Sequence, residues 1–460
     1  MIPQTLPSES DPKSPLGAAL SIGFFASTLL WVLAWGIHVP GIHLPVGVTI
    51  AAMIVVLLGI SLLWLPAVAQ TQRTKAGLLA GTIYGLLNLL ILGSFIAEQP
   101  ESLAQMPEQA NQLQPSALPI ILGSLAISIA IGFIASLLTK SKARPTLSTQ
   151  RWIARFGWIT ALSYLPLIAV GGLVTSTDSG LAVPDGVTSY GAISVLFPLK
   201  LMGEPRIFFE HSHRLFGTLA GLTTLVLMLR VLLGHSTKVS KAMAVTLFVG
   251  VSIQGIMGAL RVSQESTALA ILHGVFAQLI LALAACTAIS LGHRWNTASP
   301  SPDSHPTAKR TRMMMGFAFA AILLQLILGA VTRHLHSSHM MMAHMGFAMV
   351  VVALIIVGGS FCIRLGKSDP ECKGIRPYGA IMHGLVVLQF VLGFAVLGMV
   401  WTGDEPPELP TSETLSTTPQ TPLSDAMITT VHQLVGALLF AAAACALFWA
   451  LKLACRRKIG

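Results

Sequence analysis

Long apolar windows free of charge set the pattern of this chain. Residues 14–72 contain no Lys, Arg, Asp or Glu, and a Pro/Gly/His break over 38–44 divides them in two. Further uncharged windows cover 76–97, 109–139, 156–177, 242–260, 266–293, 313–332, 334–363, 377–402 and 426–451. One more stretch, 207–229, is apolar except in its first turns. Each reaches the roughly 20 residues that a membrane helix needs. The pattern predicts an all-α polytopic membrane protein of about twelve transmembrane helices.

Composition agrees: 10% of residues are charged and 53% hydrophobic, more apolar surface than a soluble domain can hide. Charge then orients the helices. With the N-terminus cytoplasmic, only Lys200, Arg206, Arg214, Arg261 and Arg333 of the 28 Lys and Arg fall on the outer side. That bias predicts an even number of spans with both termini cytoplasmic. It also accounts for the net charge of +10 without a nucleic-acid partner. The opening MIPQTLPSESDPKSP carries acids and no arginine, unlike a transit or signal peptide. All five cysteines (286, 362, 372, 445 and 455) fall on the inner side and form no CxxC, so structural or inert roles are expected.

Residues 98–117 form a Gln-rich acidic outer loop, and a basic linker at 140–155 separates four N-terminal spans from eight more. The eight look like two copies of four. Gly172-Leu-Val-Thr175 is echoed by Gly329-Ala-Val-Thr332, and Gln254-x-x-x-Gly258 by Gln389-x-x-x-Gly393. Histidines mark the copies most clearly. His213-Arg-Leu-Phe-Gly217, His273-Gly-Val-Phe-Ala277, His344-Met-Gly-Phe-Ala348 and His432-Gln-Leu-Val-Gly436 share the form His-x-x-apolar-small, on the second and fourth helix of each copy. The expected organisation is a four-helix region of unassigned role (1–140) and two pseudosymmetric four-helix bundles (150–295 and 310–455).

Intramembrane histidine is costly without a partner and marks a functional site by default. Imidazole ligates iron and copper. A small residue at i+4 lies one turn away on the same face, clearing space for a flat macrocycle. Two such helices facing each other make a bis-histidine haem site, and four make two. Any one of these histidines alone fits a packing role as well; four at one depth with one local pattern favour ligation.

The span at 207–229 opens with Phe209-Glu210-His211-Ser212-His213-Arg214. At helical spacing Glu210 shares a face with His213 and with Arg214, while His211 points about a quarter turn away. Glu210 is placed to handle a proton beside whatever His213 binds; an i,i+4 ion pair anchoring a helix start is the other reading. The second copy has no equivalent carboxylate: Met341 and Thr429 stand three residues before His344 and His432. The two sites therefore differ chemically, one reactive and one prosthetic or electron-transferring. Arg261 and Arg333, at outer helix ends, fit contacts to haem propionates and interfacial snorkelling equally.

Over about 152–452 the sequence resembles the haem A synthase family. The resemblance is carried by Gly171-Gly-Leu-Val-Thr-Ser-Thr-Asp-Ser-Gly-Leu-Ala-Val-Pro-Asp185, Glu210-His-Ser-His213-Arg-Leu-Phe-Gly, Gln254-Gly-Ile-Met-Gly-Ala-Leu-Arg-Val262, Ile271-Leu-His273-Gly-Val-Phe-Ala-Gln278, Ala343-His344-Met-Gly-Phe-Ala and Val431-His432-Gln-Leu-Val-Gly-Ala. Glu-x-x-His-Arg is the most specific of these. The resemblance implies oxidation of the haem O C8 methyl to a formyl group in a bacterial inner membrane. It implies that His213 and His273 ligate the substrate haem O beside an essential Glu210, and that His344 and His432 ligate a resident haem b. It further implies haem O synthase as supplier, a quinol or ferredoxin-type electron donor, and a terminal oxidase as acceptor of haem A. Many bacterial members carry a cysteine pair in the first outer loop, and residues 176–206 have none. Residues 1–140, with His38 and His43 at an outer turn, lie outside the resemblance.

Two other functions fit parts of the pattern. A diheme b-type membrane cytochrome linked to quinol explains four histidines and leaves Glu210 without a role. A copper-handling protein explains the His- and Met-rich stretch His334-Leu-His-Ser-Ser-His339-Met-Met-Met342 and little else.

Overall fold

The computed structural model describes residues 14–42, 44–141, 144–335, 337–401, 414 and 418–455. The N-terminal segment 1–13, His43 and His336 lie outside them. Among the described residues the chain is all helical, with 12 helices long and apolar enough to cross a membrane. The helices are α1 (Pro15–Ile37), α2 (Val46–Trp64), α3 (Arg73–Ile96), α4 (Met106–Gln109), α5 (Ala117–Leu138), α6 (Thr149–Ser176), α7 (Pro205–Leu233), α8 (Lys238–Ser263), α9 (Thr267–Ser290), α10 (His293–Thr297), α11 (His305–Leu335), α12 (Ser338–Ser368), α13 (Arg376–Trp401) and α14 (Leu423–Ala454). Apart from the short α4 and α10, each takes up one of the apolar windows. Polar residues at or near the window edges start several of them. Ser14, Glu204, Ser266 and Ser337 each accept a hydrogen bond from a backbone N–H of the first turn, and Pro15 and Pro205 stand where no amide donor is needed.

The described chain divides into two compact units, 1–167 with 182–244, and 168–181 with 245–460. In the first, α3 packs on α1 and α5, and α2 on α1 and α5. The α3–α5 crossing is backbone on backbone: a Cβ at Gly77 would strike the Gly132 carbonyl, and one at Gly132 the Gly77 carbonyl. Some polar groups in this apolar packing are paired. Trp31 Nε1 donates to Asn88 Oδ1 at 3.1 Å, and the Tyr84 hydroxyl to the Met53 carbonyl at 2.9 Å. The buried Arg73 serves the carbonyls of Val68, Pro66 and Thr139. His38 Nδ1 sits 2.7 Å from the Ala34 carbonyl.

Helix α7 belongs to the same unit. Trp31 and Trp35 of α1 lie against its Phe216 and Phe208, with ring centroids 6.0 and 6.1 Å apart, and its Thr224 hydroxyl is 2.7 Å from that of Tyr164.

In the second unit, α11 packs on α12, α12 on α13, α13 on α14 and α14 back on α11, closing a four-helix ring. Helix α9 covers α14 and α11. The central helix is α14, an Ala-rich run from Ala441 to Ala446 buried along its length. Helix α13 by contrast exposes Val387, Val391 and Phe394, each by 60% or more. Such apolar faces are suited to lipid. Past the end of α12, Asp369 accepts hydrogen bonds from the Ser301 and Glu371 amides and the Ser301 and Ser304 hydroxyls, at 2.8–3.0 Å. Those bonds latch the linker before α11 to the end of α12. Cys286, Cys362, Cys372 and Cys445 are buried and free, and Cys455 is exposed and free.

Candidate functional site

The four patterned histidines, His213 on α7, His273 on α9, His344 on α12 and His432 on α14, are all half-buried. The structure brings His344 and His432 together inside the α11–α14 ring, with imidazole centroids 6.5 Å apart and ring planes at 73°. His213 and His273 lie in different units.

Around the His344–His432 pair, the neighbouring helices supply two glutamines and two glycines. Gln325 of α11 donates to the His344 backbone carbonyl at 2.8 Å, and its own backbone carbonyl lies 3.2 Å from His344 Nδ1. A carbonyl only accepts, so Nδ1 carries the proton and His344 Nε2 keeps its lone pair. Gln389 of α13 directs its side-chain nitrogen at His432 Nε2, 3.2 Å away. An amide nitrogen only donates, so His432 Nε2 is likewise the lone-pair nitrogen. One turn on from each glutamine is a glycine: a Cβ at Gly329 would come within 2.9 Å of His344 Cε1, and one at Gly393 within 3.5 Å of His432 Cε1.

The same device recurs at α8. Gln254 Nε2 donates to the His273 carbonyl at 2.9 Å, and a Cβ at Gly258 would lie 2.9 Å from His273 Cε1. Gln-x-x-x-Gly is therefore a histidine seat used three times. The spacing at 254 and 389 reads from the sequence as a repeat mark, and that at 325 passes unnoticed. Its use becomes visible only when the facing helix is known. Gly436, expected to clear space for a macrocycle, has the Gln389 amide as its nearest neighbour.

On α7 the Glu204 cap puts Glu210 just inside the helix start. Glu210 is buried, and Arg214 donates to its Oε1 at 3.1 Å. The i,i+4 ion pair is present, and Arg214 does more than anchor a helix end. Its two terminal nitrogens donate to the carbonyls of Thr188, at 2.6 Å, and Val183, at 3.0 Å, in the loop before α7. His211 turns to another part of that loop: its Nδ1 is 3.2 Å from the Ser189 hydroxyl, and its ring 4.8 Å from that of Phe197.

Arg261 and Arg333 of the second unit both bind the segment after α6. Arg333 donates to the Thr175 carbonyl at 2.6 Å and pairs with Asp178 at 3.2 Å; Arg261 donates to the Gly180 carbonyl at 3.2 Å. Among the described residues, no group of three or more His, Cys, Asp or Glu could hold a metal ion by itself.

The donor set around α12 and α14 fits a macrocyclic iron better than a bare ion. It offers two unprotonated imidazole nitrogens on rings whose centroids are 6.5 Å apart, the residues that would hold an iron between them. It holds His344 Nδ1–H on a backbone carbonyl, as metal-bound histidines require. The buried His432 Nδ1 and Arg333 Nε have no hydrogen-bond partner among the described residues. Fold and site thus define a multi-pass helical membrane protein with a paired-histidine seat in a four-helix bundle. Residues 154–341 match the family model COX15-CtaA, cytochrome oxidase assembly protein. The matched stretch contains Glu210, His213 and His273 and supports a role in cytochrome oxidase assembly. No curated protein and no solved structure matches the chain.

Proposed function

We propose that the protein is a haem A synthase, an oxidoreductase that converts the C8 methyl of haem O to a formyl group and passes haem A to a terminal oxidase. The observation that carries the proposal is the buried Glu210 beside His213, fixed by Arg214, within a stretch that matches an oxidase-assembly family. The diheme electron-transfer reading leaves a carboxylate held in this way unexplained. In this reading His213 and His273 ligate the substrate haem O, and Glu210 holds or moves a proton next to the reacting methyl. His344 and His432 ligate a resident haem b, which when bound supplies one-electron chemistry. Arg261 and Arg333 hold the segment 175–180, and both are placed at helix ends where haem propionates would be met. The setting is a bacterial inner membrane with both termini cytoplasmic, as the Lys and Arg bias requires. Haem O synthase is the supplier, and a quinol or a ferredoxin-type protein is the electron donor.

Haem extraction and chromatography of the purified protein test the proposal. Wild type should yield haem b together with haem O or haem A. Glu210→Gln should keep the haem absorbance while haem A formation falls by on the order of 10²-fold, the range for loss of an acid–base group. Normal haem A output from the variant removes Glu210 from the chemistry. Finding haem b alone in wild type favours the diheme electron-transfer protein instead.

A further inference from the structure

The first four membrane helices have no part in the reading above, yet their outer loop makes specific contacts. The loop between α3 and α5 is closed on itself by two backbone hydrogen bonds, Glu98 N–H to the Gln112 carbonyl at 3.0 Å and Gln114 N–H to the Ile96 carbonyl at 2.9 Å. From it three side chains reach the loop before α7. Asn111, in the left-handed region at φ 66°, accepts from Ile193 N–H at 2.7 Å and donates to the Gly191 carbonyl at 3.4 Å. Gln99 accepts from Lys200 N–H at 2.9 Å, while its own amide is held by the Ser94 and Ala97 carbonyls. Glu101 pairs with the Lys200 ammonium. Beneath them Gly93 of α3 meets the Val195 carbonyl with no room for a Cβ.

The loop so held is the one that fixes Glu210. Gly191 N–H and the Thr188 hydroxyl both donate to Asp185 at 2.7 Å, and Ser189 and Ala192 bond each other through their backbones. Asn111 therefore grips one side of a compact turn whose other side presents the Thr188 and Val183 carbonyls to Arg214. Arg214 in turn holds Glu210. Every link in this series is a hydrogen bond between 2.6 and 3.4 Å.

The geometry points to Asn111 and Gln99 as positioning residues: the N-terminal region braces the outer loop 182–204, and through Arg214 it sets the orientation of Glu210. This inference rests on the reading of Glu210 as the reactive carboxylate. A hydrogen-bonded carboxylate displaced by an ångström loses much of its catalytic effect, so a brace remote from the chemistry is read in turnover.

The test uses the full-length protein with the paired substitutions Gln99→Ala and Asn111→Ala. Amide exchange over 186–200 should speed up about tenfold, the order expected for losing a hydrogen bond. The kcat for haem A formation should fall roughly tenfold to a hundredfold, with KM within about twofold of wild type and the absorbance of bound haem unchanged. Asn111→Asp keeps the acceptor for Ile193 N–H and should restore most of the rate. Adding Arg214→Gln to the paired variant should cost no more than Arg214→Gln alone, since both act through one series of contacts. Unchanged exchange shows that these contacts do not hold the loop, and faster exchange with unchanged kcat shows that the loop does not position Glu210; either overturns the inference. A wild-type protein that makes no haem A overturns the underlying reading, a distinguishable result because exchange is measured without turnover.

Discussion

At the scale of single residues, Gln325, Gln389 and Gln254 bear on how tightly iron would be held. A histidine in lipid has a choice of rotamer and tautomer, and a ligand needs one of each. Gln325 narrows both for His344 by bonding its backbone and turning Nδ1 toward a carbonyl. Removing a group that orients a metal ligand typically costs 10–100-fold in affinity. Gln325→Leu and Gln389→Leu should each weaken haem b binding by about tenfold or more on that scale, read from a Soret titration of apoprotein. If both variants titrate like wild type, the glutamines only pack. The histidines and Glu210 were legible in the sequence because their residue types are improbable in apolar helices. Gln325 was not: a lone glutamine at a helix centre has many uses, and its purpose depends on which helix faces it.

Elements show the same division. Each membrane helix follows from an apolar window, charge-free in every case but that of α7, and each window became a helix because a backbone in lipid must bond within itself. Which helices cross closely was not legible. Gly77 and Gly132 read as ordinary glycines in the sequence, and only the crossing of α3 and α5 shows that each lies against the other's carbonyl. The Asp369 latch was also missed, because four donors spread over Ser301, Ser304 and Glu371 carry no sequence period. Burial by itself would raise the Asp369 carboxyl, but these hydrogen bonds outweigh it and hold its pKa below the ordinary value. A depressed carboxylate stabilises the folded state above the unfolded pKa of about 3.9, and that contribution is lost as pH falls through the lower folded value. Asp369→Asn should therefore lower the melting temperature at pH 7 and flatten its fall under acid. An unchanged acid profile would mean that the latch contributes no stability.

For the whole molecule, the sequence repeat and the contacts describe different things. Repeat marks pair 150–295 with 310–455, whereas compact units form from 1–167 with 182–244 and from 168–181 with 245–460. Periodicity reports common ancestry of segments and cannot report which segments later packed together. The α11–α14 ring has one more consequence. Its histidines take their glycine clearances and lone-pair nitrogens from neighbouring helices of the ring. On the proposed function, haem is expected to dock onto this bundle and not to fold it, so that synthesis of the chain need not wait for iron. Apoprotein from haem-starved cells should show the helix content of holoprotein, and its melting temperature should climb with added haem as simple ligand linkage dictates. A chain that stays unfolded until haem arrives would contradict this, and would tie the supply of oxidase cofactor to the survival of its maker.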